Sequence, residues 1–132
     1  TNIMWRNIMN MGYNIQEYKK TENEYVKGIE TSHGRISLVF DVILENIEKL
    51  KKNHPKTDFI SFGKVLNGIT ILAKSLDMEK GGELSEQLLE LYDYSSRQMK
   101  SYLEDKKIKR IEDVKSIFIT LNDGWTSIDP VE

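Results

Sequence analysis

Apolar residues recur three and four positions apart along the chain from Thr31 onward, and that spacing excludes most folds at once. Between Ser32 and Asn53, Ile36, Phe40, Ile43, Ile47 and Leu50 form one stripe, while Asp41, Glu45, Glu48, Lys49 and Lys52 mostly face water. Thr31 and Ser32 are candidate N-caps. Asn53-His54-Pro55 is a stop, because proline pushes the residue before it out of the α region. A second helix is expected after Thr57 or Asp58, with Phe59, Phe62, Leu66, Ile69, Ala73 and Leu76 on a heptad-like seam that Val65 and Leu72 widen. Gly63 and Gly68 on its flank read as sites of close helix contact. Leu84, Leu88, Leu91, Met99 and Tyr102 carry a third helix, with Tyr92, Tyr94 and Leu103 beside them. Ile111, Val114, Phe118, Leu121, Trp125 and Ile128 carry a fourth, which Pro130 ends. No segment has a strand period. Four amphipathic helices of roughly 20 residues, about 30 Å each, predict an all-α, antiparallel four-helix up-down bundle spanning residues 31–129.

Residues 1–30 are set apart. Met4, Ile8 and Met11 make a weaker stripe interrupted by Gly12, read as an N-terminal arm or short cap helix over the bundle. Between the second and third helices stands Lys80-Gly81-Gly82-Glu83. Two adjacent glycines end a helix, and the expectation is that Gly81 takes the left-handed position closing the second helix while Gly82 lets the chain reverse.

Function classes narrow by elimination. The absence of cysteine removes disulfides and thiolate chemistry. The net charge is −2 with 30% charged residues of interspersed sign, which gives nucleic acid nothing to follow. No apolar run approaches the roughly 18 residues of a membrane span, so the chain is expected to be soluble and cytoplasmic. His33 and His54 lack helical partners for a metal, the catalytic signatures HEXXH, GXSXG and GXXXXGK are missing, and neither an enzyme nor a cofactor is expected. Glu112 and Asp113 read as a solvated helix start, and the basic run Asp105 to Arg110 as a solvated corner. What remains is apolar surplus, suited either to a core or to a groove that receives another helix.

The run SLDMEKGGELSEQLLELYDY, residues 75–94, is similar to the signature of the FliS family of flagellar secretion chaperones. The resembling words are Ser75-Leu76-Asp77, Lys80 to Glu83, Leu91 to Tyr94 with Arg97 after them, and Leu121-Asn122-Asp123-Gly124-Trp125 near the end. Departures from the family pattern include Ser95, Gln98 and the lack of a proline around Thr31. The resemblance implies a cytoplasmic chaperone that binds the C-terminal segment of flagellin, prevents early polymerisation and hands the client to an export-gate component. On that basis Val65, Leu72, Leu89 and Tyr92 are expected to line a groove along the second and third helices, with Asp93, Tyr94 and Arg97 as its polar rim. The protein is expected to be a monomer or weak dimer, with no nucleic-acid partner and no membrane insertion. The rival reading is a non-secretory bundle, phosphotransfer-like or homodimeric.

Overall fold

The computed structural model describes residues 32–127. The expected cap residues Met4, Ile8 and Met11, the arm they belong to, and Ile128 lie outside the described residues. Four helices make up the rest: α1 (Ser32–Asn53), α2 (Phe59–Lys74), α3 (Gly82–Asp105) and α4 (Ile108–Thr126). Each packs on its neighbour in sequence, and α4 returns to pack on α1, which closes the four-helix bundle. Ile43, Ile47 and Leu50 of α1, Val65, Ile69 and Leu72 of α2, Met99 and Tyr102 of α3, and Ile111, Val114 and Phe118 of α4 fill the interior. Fully burying one such side chain stabilises the fold by about 1.5 to 3 kcal/mol.

The helix ends follow from local chemistry. Asn53 donates its side-chain amide back to the Lys49 carbonyl and His54 N–H bonds the Leu50 carbonyl, so α1 stops before Pro55. Asp58 is the N-cap of α2, its Oδ1 accepting from Ser61 N at 3.1 Å. That amide bond is the main cause holding the Asp58 carboxyl below its ordinary value. At the α3–α4 corner, Lys106 takes a left-handed conformation (φ 55°) and returns its N–H to the Tyr102 carbonyl. The basic corner is more than a solvated run: Lys106 Nζ donates to Thr57 Oγ1 and lies over the Tyr102 ring, and Arg110 pairs with Asp105 at 2.7 Å. Glu112 and Asp113 are likewise not the start of α4, which begins four residues earlier at Ile108, and Glu112 faces Lys51 of α1.

The α2–α3 connection corrects three expectations. First, α2 ends at Lys74, so Leu76 is not helical. Ser75 is its C-cap and turns its hydroxyl onto the Leu72 carbonyl at 2.7 Å, competing for the carbonyls that would extend the helix. Second, Asp77 builds the turn instead, its Oδ1 accepting from both Glu79 N and Lys80 N. Third, the left-handed glycine is Gly82 (φ +53°), whereas Gly81 has ordinary helical angles, φ −75° and ψ −22°. Gly81 is required for space. A Cβ there would fall 1.8 Å from Ser85 Oγ, which itself donates to the Asp77 carbonyl at 2.9 Å.

The rotation of α2 also differs from the expected seam. Its buried line is Ser61, Phe62, Val65, Gly68, Ile69 and Leu72, while Phe59 is 69% exposed and Leu66 and Ala73 are half-buried at the core edge. Close approach to α1 sets this rotation: a Cβ on Gly68 would meet Ile43 Cγ1 at 2.6 Å. Gly63 makes no such contact and sits in open space.

Candidate protein interface

The expected groove residues separate into two groups. Val65, Leu72 and Tyr92 are 0%, 1% and 5% exposed, and they belong to the core instead of an open surface. Tyr92 stacks on Phe118 at 6.1 Å between ring centroids, and burial holds its phenol far above the ordinary value of 10.0. Leu89, Asp93, Tyr94 and Arg97 do lie on the surface. Five positions at about 100° each set Leu89 and Tyr94 roughly 140° apart around α3, so they occupy opposite shoulders and not one rim. Asp93 and Arg97 form an exposed i,i+4 pair at 3.5 Å, a type worth only a few tenths of a kcal/mol.

Contacts already made identify the two shoulders. Gln98 is bonded to Arg110 of α4, so the α3 flank carrying Leu91, Tyr94 and Gln98 faces α4, and the flank carrying Leu89, Ser96 and Leu103 faces α2. On α2, Gly68 faces α1, which puts Phe59, Leu66, Thr70 and Ala73 on the side toward α3. The α2–α3 seam is therefore walled by Phe59, Leu66 and Ala73 on one side and by Leu89 and Leu103 on the other. It is the least extensively packed of the four helix pairs. Half-buried Leu66, Ala73 and Leu103 form its floor, exposed Phe59 and Leu89 stand at its edges, and the Lys106–Thr57 bond ties its lower end.

The other shoulder of α3 is polar. An open depression of about 520 Å³ is lined by Gln87, Glu90, Leu91, Asp93, Tyr94 and Arg97. Beneath its Tyr94 edge runs a bonded chain: Lys107 N and Arg110 Nε donate to the Asp105 carboxylate, Arg110 Nη1 donates to Gln98 Oε1 at 2.6 Å, and Gln98 Nε2 donates to Tyr94 Oη. The Lys107 amide first, then the Arg110 guanidinium, hold the Asp105 carboxyl below its usual range.

The two histidines are structural. His33 stacks on Trp125 at 4.5 Å and bonds its carbonyl through Nε2, and His54 bonds the Tyr102 hydroxyl. The apolar period places Phe59, Leu66 and Ala73 on the core-facing line of α2 and Leu103 beside that of α3, and it does not register Gln98 as a link to α4. One signal for the seam was present: Gly68, where an added Cβ would meet Ile43 and Val39, marks the side of α2 that α1 covers.

The family model described as flagellar protein FliS matches residues 14–132, beginning well ahead of the stretch that carries the recognisable words. The chain is similar to the flagellar secretion chaperone FliS of Salmonella typhimurium, 27% identical over 121 residues that cover 88% of this chain and 90% of the relative. It is also similar to the flagellar secretion chaperone FliS of Vibrio cholerae, 22% identical over 120 residues and 88% of each chain. No solved structure matches it.

Proposed function

The chain belongs to the FliS family, and from that premise we propose that it is a cytoplasmic flagellar secretion chaperone for the C-terminal segment of flagellin. In this reading the client lays apolar side chains along the α2–α3 seam, is kept from polymerising, and is passed to an export-gate component. The observation that carries it is the seam itself, where Phe59 and Leu89 stand exposed beside half-buried Leu66, Ala73 and Leu103. A helix or extended segment covering these residues removes apolar surface from water at about 25 cal/mol per Å². Ordering a disordered client costs about 2 to 5 kcal/mol or more. That cost keeps the complex weaker than its buried area suggests, as suits a carrier that must release.

The test is to mix the protein with the C-terminal segment of flagellin from the same organism and resolve the products by size exclusion. A one-to-one complex is expected. Phe59→Asp and Leu89→Asp should each weaken binding at least about tenfold in calorimetry while helical content and Tm hold, since both side chains lie outside the core. Absence of any complex refutes the reading, and a dimer of the protein alone that persists at low concentration assigns the seam to self-association.

A further inference from the structure

We propose that Tyr94 is an oriented hydrogen-bond donor at a second client contact, on the α4 shoulder of α3, aimed by Gln98 and Arg110 at a main-chain carbonyl that a cationic side chain accompanies. This rests on the reading of the protein as a carrier of a polypeptide client and adds a site outside the α2–α3 seam.

The direction of the bonded chain carries the inference. A guanidinium can only donate, so the atom Gln98 turns toward Arg110 must be its oxygen. The Gln98 amide nitrogen is thereby left to donate to Tyr94 Oη, and the phenol, having accepted there, keeps its own proton for another partner. Asp105 anchors the far end, holding Arg110 through Nε at 2.7 Å while it also accepts from Lys107 N. Tyr94 thus stands at the edge of the depression with a ring, an apolar neighbour in Leu91, and a hydroxyl committed to donating. Preorganisation of this kind removes the cost of fixing a rotor on binding.

Charge selects the companion. The depression is lined by two carboxylates, Glu90 and Asp93, and one cation, Arg97, which already pairs with Asp93. Glu90 remains as the excess charge, so a lysine or arginine of the client fits beside it and can lie over the Tyr94 ring. An unpaired carbonyl next to a cation is what the last turn of a helix presents. The occupant is accordingly the cationic C-terminal end of a helix formed by the client.

Calorimetry of the full chain with the flagellin C-terminal segment tests this, each variant being checked for an unchanged Tm. Tyr94→Phe removes the donor and is expected to weaken binding about five- to tenfold. Gln98→Glu keeps the size but replaces the amide donor with an acceptor, which turns the phenol proton inward. It should weaken binding as much, although its added negative charge would otherwise favour a cationic client. The double variant should bind no more weakly than Tyr94→Phe alone, because both act through one proton. Glu90→Gln should flatten the dependence of affinity on salt. If the wild-type chain binds and either Tyr94→Phe or Gln98→Glu binds within twofold of it, or the two losses add, the oriented donor is refuted while the seam reading stands. If the wild-type chain binds no client, the functional reading falls and this site with it.

Discussion

At the scale of single residues, Gly81, Gly82 and Gly63 stand under different constraints. Gly81 lacks room for a side chain, since a Cβ would press on Ser85 Oγ at 1.8 Å and on the Asp77 carbonyl oxygen at 2.7 Å. Gly82 has room but holds φ at +53°, where an alanine costs roughly 1 to 2 kcal/mol. Gly63 has neither constraint: it is an exposed position inside α2 with nothing within 4 Å of an added Cβ. Urea denaturation should therefore rank three alanine variants. Gly81→Ala is expected to destabilise by about 2 kcal/mol or more, because the carbonyl belongs to backbone fixed by the Asp77 turn. Gly82→Ala should lose about 1 kcal/mol, and Gly63→Ala should gain about 0.5 to 1 kcal/mol. An equal loss at Gly81 and Gly82 would contradict the steric account of Gly81. The glycine pair was legible in the sequence as a helix break, but the assignment of the left-handed angle was not. Which glycine takes it depends on Ser85 reaching back eight residues to the Asp77 carbonyl.

Among the elements, α1 was the most legible and α2 the least. Asp41, Glu45, Glu48 and Lys52 keep one face of α1 polar, so the line of Ile36, Phe40, Ile43, Ile47 and Leu50 is buried as its period predicts. On α2 only Lys64 and Lys74 are charged, and apolar residues ring the helix, so several lines fit the same period. Contact with α1 at Gly68 decided the rotation, which sent Val65 and Leu72 inward and brought Phe59 and Ala73 to the seam. The candidate site was therefore readable as a pair of helices but not as a set of residues. Closure of α4 on α1 depends on another contact that periodicity does not register. Trp125 Nε1 donates to the His33 carbonyl at 3.1 Å and to Ser37 Oγ at 3.0 Å, and its ring stacks on His33. Trp125→Phe keeps an aromatic ring but leaves both acceptors without that donor and a smaller volume in the core. A loss of about 2 to 4 kcal/mol is expected in urea denaturation. Faster amide exchange should appear at the start of α1 and the end of α4 before the middle of the bundle.

For the molecule as a whole, the aromatic core sets how folding responds to alkali. Tyr92 lies among packed side chains against Phe118, and its phenol is held well above 10.0 by burial, which disfavours the phenolate. In the unfolded chain the same phenol ionises near its ordinary value. Below that value both states keep the proton and Tyr92 adds no pH dependence. Above it the unfolded state releases a proton that the folded state retains, so stability falls as pH rises. Each pH unit beyond the unfolded value costs about 1.4 kcal/mol for one such group, until the folded pKa is reached. The Lys115–Glu48 pair at 2.7 Å acts in the same window, because its hydrogen bond raises the lysine and that contribution also fades as the ammonium loses its proton. The two sources can be separated. Tyr92→Phe preserves the ring stack and removes the ionisable group, so its urea midpoint should resemble the wild type at pH 8 and exceed it increasingly from pH 10.5 to pH 11.5. Lys115→Met should leave the Tyr92 contribution intact. If Tyr92→Phe and the wild type lose stability in parallel across that range, the buried phenol does not govern the alkaline limb. The remaining dependence then belongs to the Tyr102 phenol, which burial also raises, and to surface pairs, which salt would screen.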